Sequence, residues 1–374
     1  MKVIQATYSS ESWEYSSVKE KLTNPLVLIF GDRFLLENTT TIEKIKEEFP
    51  YENLVFGSTA GEILGKKISE DSIVVTAVQF DNSSFEIKTA NIKEYDKDAI
   101  ELGKHLISEL SQDDLKHVFI LSEGSFVNGS DLLEGLESGE NNFCVTGGLC
   151  GDGPRFEKTL TGLNKAEEGE VVVIGFYGEN LEFSYASYGG WIPFGPERLV
   201  TKAEKNILYE LDGQPALDLY SKYLGEKASE LPQASLFYSL YLREEGKENR
   251  IVRTILNIDR DQKSMILAGN MVQGSRVQLM MASTDALLQG ASEAAQLAVK
   301  NRKKKSQLAL LVSCVGRKLV LDQRAEEEIE EVINIIGEDL SITGFYSYGE
   351  IAPFYGEHAS SLHNQTMTLT LISE

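Results

Sequence analysis

One short pattern occurs three times in this sequence, and it restricts the fold more than any other feature. In each copy an apolar strand runs into a glycine-containing loop, a helix follows, and a second strand ends in glycine and a carboxylate. The copies are LVLIFGDR with FGSTAGEI (26–63), HVFILSEG with VTGGLCGD (117–152) and LALLVSCVGR with TGFYSYGEI (308–351). Because repetition of this kind indicates duplicated structural units, the pattern predicts layered α/β architecture.

The rest of the chain completes this expectation. Apolar residues at helical spacing predict helices over 97–110, 285–299 and 323–336. Further strand-like runs, such as SLFYSLYL (235–242), suggest added antiparallel hairpins. The predicted fold is α/β, with two fused domains of mixed β-sheets flanked by helices and internally repeated strand–helix–strand units. The turn-rich stretch YGGWIPFGPE and the polar stretch GEKASELPQ bracket the predicted domain junction.

Charge excludes two classes of partner. Asp and Glu number 58 against 36 Lys and Arg, which gives a formal net charge of −22. A surface of this sign repels nucleic-acid phosphates and anionic lipid headgroups. We therefore expect no nucleic-acid partner and no membrane partner.

The cysteines and the amino terminus favour the cytoplasm. The 3 cysteines include no CxxC pair, which is typical of a reducing compartment. The start, MKVIQATYSSESWE, lacks the apolar core of a signal peptide, and no apolar run approaches the length that spans a bilayer. We expect a soluble cytoplasmic protein.

The three glycine–acid turns are the first candidate site. Glycine at the carboxyl end of a strand lets backbone approach a ligand closely, and crevices for ligands form at that end of α/β sheets. The alternative is a tight turn whose acid is solvated or caps a helix. The turns consist of Gly61 and Glu62, Gly151 and Asp152, and Gly349 and Glu350.

Arg317 and Cys314 lie at the end of the third apolar strand. Arg317 is suited to bind a ligand carboxylate; the alternative is a structural ion pair with Glu350. Cys314 would act as a nucleophile only if a base lowered its pKa. No histidine is near it in sequence, which favours a buried packing role.

The histidines give no metal site. His105, His117, His358 and His363 show no zinc-ligand spacing, so we predict that no metal and no cofactor is bound. A single histidine can still be the axial ligand of a haem. His363 is the leading candidate, because it precedes the buried strand TMTLTLI.

Two sets of motifs are similar to those of a known family. The first contains LVLIFGDR, VFGSTAGEI, DSIVVTAVQF and CVTGGLCGDG; the second contains AGNMVQGSRVQLM, LLVSCVGRKLVL, TGFYSYGEIAPF and HNQTMTLTL. They resemble the FIST N-terminal and C-terminal domains of bacterial and archaeal signal-transduction proteins. The resemblance implies an N-terminal domain over 24–218 and a C-terminal domain over 219–370.

The resemblance also implies a function. It predicts a cytoplasmic, two-component-associated sensor that binds a small, amino-acid-like ligand and has no catalytic activity. No kinase, cyclase or receiver motif is present, so the expected output partner acts in trans: a histidine kinase, a diguanylate cyclase or a chemoreceptor. The alternatives are a haem-based nitric-oxide sensor and a hydrolase that uses Cys314.

The predicted ligand site gathers the strand ends of all three copies. Carboxylates would bind an ammonium group, and Arg317 with backbone N–H groups would bind a carboxylate. The predicted ligand-binding residues are Ser58, Thr59, Gly61, Glu62, Gly151, Asp152, Arg317, Tyr348, Gly349 and Glu350.

Overall fold

The computed structural model of the chain describes residues 1–139, 142–244, 246 and 249–374. The strands are β1 (Lys2–Ser9), β2 (Ser12–Tyr15), β3 (Leu26–Gly31), β4 (Leu54–Ser58), β5 (Glu62–Leu64), β6 (Lys67–Ser69), β7 (Ile73–Gln79), β8 (Ser84–Asn91), β9 (Leu115–Ser122), β10 (Cys144–Leu149), β11 (Thr161–Leu163), β12 (Glu170–Tyr177), β13 (Glu182–Tyr188), β14 (Ile192–Glu204), β15 (Ile207–Leu211), β16 (Gln214–Pro215), β17 (Leu240–Arg243), β18 (Ile251–Arg253), β19 (Ile255–Asp259), β20 (Ser264–Leu267), β21 (Arg276–Met281), β22 (Leu308–Cys314), β23 (Ser341–Ser347), β24 (Gly349–Pro353), β25 (Ser360–His363) and β26 (Met367–Ser373). The α-helices are α1 (Arg33–Glu37), α2 (Thr39–Glu48), α3 (Ala99–Ser108), α4 (Gly129–Leu136), α5 (Ala216–Leu224), α6 (Thr284–Val299), α7 (Val315–Leu321) and α8 (Ala325–Ile336).

The three predicted repeats are confirmed as three equivalent six-stranded sheets. In each sheet the two strands of a repeat pair in parallel, as β3 with β4, β9 with β10 and β22 with β23. A third strand pairs antiparallel with the first, as β7, β12 and β26. The sheets therefore repeat one topology, and we call them with their helices the repeat body.

Both faces of these sheets are buried, which explains the continuous apolar runs in the sequence. On β3, Leu28 and Phe30 point into a core shared by all three sheets. In this core the ring centroids of Phe30 and Phe345 of β23 are 4.8 Å apart. The alternate residues Val27 and Ile29 pack in a separate cluster on the opposite face. The strand period of two thus divides each run between two cores.

Each repeat also adds strands to a neighbouring sheet: the first adds β5 and β6, the third adds β24 and β25, and the second adds β11. After the second strand of a repeat the chain crosses over: β5 pairs with β23, β24 with β10 and β11 with β4. The first repeat thus joins the third, the third joins the second, and the second joins the first. This closed exchange supplies each second strand with a partner on its outer edge.

Backbone hydrogen bonds close a ring at the carboxyl ends of the second strands. The three N–H donors and carbonyl acceptors are Ala60 to Tyr346 (2.8 Å), Gly151 to Ser58 (2.9 Å) and Tyr348 to Leu149 (3.1 Å). The strand ends of all three repeats therefore meet in the structure; the ligand site predicted at these ends stays a prediction.

A separate domain is inserted between β13 and β22. It covers 192–281 and contains an eight-stranded sheet. Seven strands run from β18 through β17, β21, β14, β15 and β20 to β19, and β16 pairs with β15 beside this path. The pairings within this sheet are antiparallel in the residues described. The prediction of mixed sheets therefore holds for the repeat body, whereas the inserted domain is antiparallel.

Strands from both sides of residue 218 share sheets in the repeat body. β13 pairs with β26, and β5 pairs with β23. The expected boundary between 24–218 and 219–370 remains a prediction about sequence domains, because strand exchange combines the two parts in one body.

Most local predictions of helices and strands agree with the structure, and two are wrong in part. The three predicted helices correspond to α3, α6 and α8, and α8 ends at Gly337 with φ +91°. The strand predicted over 235–242 is wrong in its first half, which lies in a 3₁₀-helix, Gln233–Phe237. The turn predicted over 188–197 is wrong from Ile192 onwards, where β14 begins. Within the described ranges, the helices are all too short or too polar to cross a bilayer.

Candidate functional site

A cleft of about 720 Å³ lies between the repeat body and the inserted domain. The repeat body contributes 124–129, Leu149, 154–156, Leu319, Tyr348 and Leu362, and the inserted domain contributes Asn206, 232–233, 235–236, 255–257 and 267–269. Its volume falls within the ~300–1,000 Å³ typical of small-ligand sites. Because the body's wall comes from the segments that follow β9, β10 and β23, the cleft lies at the carboxyl ends predicted from the sequence.

A second, wider groove of about 850 Å³ lies on the surface beside α2. Its walls carry lysines and glutamates that already pair with one another, such as Lys158 with Glu37 at 2.8 Å and Lys165 with Glu167 at 2.8 Å. The apolar and aromatic walls of the cleft suit a small ligand better, so we take the cleft as the candidate site.

The loop after β9 forms one wall, and the chain itself occupies its polar groups. The buried Glu123 carboxylate accepts hydrogen bonds from the N–H groups of Ser125, Phe126 and Val127 at 2.7, 2.9 and 3.1 Å. The side chain of Asn128 caps α4 in the same way. These donors fix the loop and are not available to a ligand.

Arg155 brings a positive charge to the cleft. Its Nε lies 2.6 Å from Asp152 Oδ1, and its Nη2 lies 3.1 Å from Asp32 Oδ2. Arg33 holds the same Asp152 oxygen from the other side at 3.1 Å. The predicted residue Asp152 is therefore buried behind the cleft, where it orients Arg155.

Tyr348 and Phe156 form an aromatic pair in the wall. Their ring centroids are 4.4 Å apart and their planes differ by 18°. The Tyr348 hydroxyl accepts from the Phe156 N–H at 2.9 Å and donates to the Gly153 carbonyl at 3.1 Å. These contacts hold Phe156 at φ +56°, a left-handed conformation that bulky residues rarely adopt.

Polar contacts attach the inserted domain beside the cleft. Asn270 accepts from Asn128 Nδ2 at 2.8 Å and donates to Asp131 at 2.6 Å. On the other side, the Arg253 guanidinium donates to the Leu362 carbonyl at 2.8 Å. The two parts are thus joined by directional contacts at the margins of the cleft. A buried apolar cluster also joins them, and it contains residues of β18 and β21 together with residues of α6, α7 and α8.

Glu62 and Glu350 lie outside the lining of both cavities. Glu62 accepts from the hydroxyls of Thr59 at 2.6 Å and Ser72 at 2.7 Å. Burial raises the pKa of Glu62 to about 8. These contacts make Thr59 a partner of Glu62 in the structure; binding of a ligand by either residue stays a prediction.

Glu350 repeats this arrangement in the third copy. It accepts from the Ser347 hydroxyl at 2.7 Å and from the Thr366 hydroxyl at 2.9 Å. Burial raises the pKa of Glu350 to about 7. In both copies the second hydroxyl comes from the residue just before the closing strand, so the two acids are equivalent.

Arg317 is buried and bonded within the protein. Its Nε lies 2.6 Å from Glu328 Oε1, and its other nitrogens donate to the carbonyls of Gly189 and Leu287. The structural ion pair considered from the sequence therefore exists, but Glu350 was the wrong partner and Glu328 of α8 is the right one. In this position Arg317 does not face the cleft.

The remaining predicted residues lie in the ring of strand ends. The Ser58 carbonyl accepts a hydrogen bond from the Gly151 N–H. The Ser58 hydroxyl accepts one from the Leu160 N–H at 2.8 Å. Gly61 lies against Lys318, and Gly349 lies between the side chains of Leu149 and Leu362. Of the ten predicted residues, Tyr348 alone belongs to the cleft lining in the part of the chain that the structure describes.

The two alternative functions find no support at their key residues. Burial raises the pKa of the Cys314 thiol, which opposes formation of a nucleophilic thiolate. The His363 ring is buried, and its Nε2 donates to the Ala352 carbonyl at 2.9 Å. A haem iron would have to replace that bond, so the residues around His363 do not fit an axial ligand. Among the described residues, no cluster of three His, Cys, Asp or Glu could hold a metal.

Sequence reasoning missed Arg155, Phe156 and the inserted domain's wall. The segment GDGPRF contains the signal, since an arginine and an aromatic residue follow the glycine–acid turn after two further residues, Gly153 and Pro154. That turn was predicted to bind the ligand itself, which stays a prediction; in the structure its Asp152 binds Arg155.

Comparison with known proteins agrees with the architecture. A family model described as "FIST N domain" matches residues 25–214, and one described as "FIST C domain" matches residues 216–353. A protein of Methanocaldococcus jannaschii that is described as uncharacterized is 28% identical over 198 residues, which cover 49% of this chain and 37% of that protein. The match therefore spans well under half of that relative's length.

Proposed function

The chain belongs to the FIST family and carries both of its domains, and on this basis we propose that it is a sensory protein whose ligand binds in the cleft. FIST domains are associated with sensory signal transduction. The observation that carries the proposal is the cleft itself, a 720 Å³ space between two parts of the chain. Sites between domains are common for small ligands.

The position of the cleft suggests how binding is transmitted. Two segments connect the inserted domain to the repeat body, one between β13 and β14 and one between β21 and α6. A ligand that contacts both walls favours the arrangement in which both contacts form, and so shifts the population of domain positions. A partner protein that binds one arrangement better receives the signal.

The output of this sensor lies in another protein in our proposal. We propose that a histidine kinase, a diguanylate cyclase or a chemoreceptor reads the ligand-bound form in trans. A cytoplasmic location is supported by three cysteines that are free thiols. The FIST family is not known as enzymatic, which supports a sensor without catalysis.

Filling the cleft tests the proposal. Ala268 lines the cleft wall of the inserted domain, and we expect Ala268→Trp to abolish binding of small molecules because indole occupies the space. The measurement is the melting temperature of both proteins with fractions of a small-molecule cell extract. A fraction that stabilises the wild type is expected to leave Ala268→Trp unchanged.

Ala359→Trp is the matched control, because Ala359 is exposed and lies outside the cleft lining. It should respond like the wild type. Equal stabilisation of the wild type and Ala268→Trp by every active fraction would show that the ligand binds elsewhere, and would overturn the proposal.

A further inference from the structure

Charge in the cleft wall narrows the ligand class, an inference that rests on the proposed function. Among the residues that the structure describes as lining the cleft, Arg155 is the one charged side chain, and no Asp or Glu accompanies it. The whole chain has a net charge of −22, so a wall with a single cation is a local departure from the protein's surface.

The backbone donors of the loop before α4 are already occupied. The Glu123 carboxylate accepts hydrogen bonds from the N–H groups of the loop before α4, and the Asn128 side chain accepts those of the first turn of the helix. Arg155 still has a free side: its Nε and Nη2 bind carboxylates, whereas Nη1 has no acceptor within hydrogen-bond distance in the described ranges. The Arg155 side chain is 31% exposed, so this nitrogen is available as a charged donor for an anion.

An aromatic surface lies next to that donor. Phe156 follows Arg155 in the chain, lines the cleft and is 41% exposed, although one face of its ring stacks on Tyr348. A ring held on one face presents the other to a planar ligand, and stacked pairs prefer such offset parallel contacts. The walls beyond it are apolar, with Leu236 and Leu256 of the inserted domain.

We propose that the cleft binds a monocarboxylate joined by a short spacer to a planar aromatic ring. Arg155 Nη1 donates to the carboxylate, and the free face of Phe156 stacks on the ring. The site discriminates against the ammonium group of an amino acid, because that group would find neutral oxygens and no carboxylate in the described lining. This replaces the amino-acid-like ligand expected from the sequence.

Three probes of one shape test this on the wild-type protein. They are 3-phenylpropanoate, 3-phenylpropanamide, which lacks the charge, and L-phenylalanine, which adds the ammonium. By isothermal titration calorimetry we expect the carboxylate to bind at least about tenfold more tightly than either of the others, the usual scale for a charge-assisted hydrogen bond.

Variants assign the effect to residues. Arg155→Gln should remove the preference for the carboxylate over the amide, whereas Arg276→Gln, an exposed arginine outside the lining, should keep it. Phe156→Leu should weaken 3-phenylpropanoate about three- to tenfold and leave hexanoate, which has no ring, unchanged. A purely structural role for Arg155 would change both affinities together.

The outcomes separate this inference from the proposed function. If L-phenylalanine binds as tightly as the carboxylate, and Ala268→Trp blocks it, the cleft is a sensor site and the ligand class is wrong. If none of the three probes binds at 10 mM, the ligand class is also wrong, and the extract experiment with Ala268→Trp decides the proposed function by itself.

Discussion

Arg317→Met is expected to lower the free energy of unfolding by about 3–5 kcal/mol, the usual cost of removing one partner of a buried ion pair. Both Arg317 and Glu328 are fully buried. The variant would leave the Glu328 carboxylate with two hydroxyl donors, Ser313 at 3.0 Å and Tyr346 at 2.9 Å, and no cation. It would also leave the carbonyls of Gly189 and Leu287 without their donor.

Two controls separate the buried pair from charge in general. Arg324→Met removes an arginine that is 40% exposed and paired with Asp285 and Glu327, and it should lower the stability far less, because solvent screens exposed ion pairs. Arg317→Met with Glu328→Met removes both charges and should recover most of the loss. Chemical denaturation of the four proteins measures this; equal effects of Arg317→Met and Arg324→Met would contradict the prediction.

The same variant should loosen the attachment of the inserted domain. Gly189 lies in the segment before β14, and Leu287 lies in the first turns of α6, after β21. One guanidinium therefore holds both connections between the inserted domain and the repeat body. We expect Arg317→Met to speed amide hydrogen exchange in 188–192 and 282–288, with the central strands β3 and β9 less affected.

Glu62→Gln combined with Glu350→Gln is expected to make the protein more resistant to alkaline pH. A carboxyl whose pKa is higher in the folded than in the unfolded chain gives stability that is complete below the ordinary value of 4.5 and is lost as the pH rises through the folded value. For Glu350 and Glu62 the folded values are about 7 and about 8, because both are buried. As the pH rises above the folded value, ionisation of each group can lower the free energy of unfolding by up to about 1.4 kcal/mol for each unit by which its pKa is raised.

The measurement is the melting temperature between pH 5 and pH 9. The wild type should lose stability across this interval, and the double variant should lose less, since a neutral amide has no proton to release and can still bond with Thr59 and Ser347. Glu134→Gln, at an exposed position on α4, should follow the wild type. A double variant as sensitive to pH as the wild type would mean that neither acid is protonated at neutral pH.

The sequence predicted the position of the candidate site better than its residues. Glycine–acid turns at strand ends pointed to the edge where the ring of backbone bonds forms and Tyr348 lines the cleft. The acids themselves are buried and bonded within the protein: Asp152 binds two arginines, and Glu62 and Glu350 accept hydrogen bonds from hydroxyl groups. A carboxylate in a turn looks the same in sequence whether it faces a ligand or a neighbouring side chain.

The sequence by itself determined the repeating unit, since strand and helix periodicity and turn glycines act over a few residues and were visible in each copy. Tertiary structure decided which repeat receives each exchanged strand, which of many acids pairs with Arg317, and where the inserted domain stands over the ring. These choices depend on contacts between residues far apart in the chain, such as Glu62 with the sheet of β23. Local pattern carries no information about such partners, because they are selected by the combined packing and desolvation of the whole body.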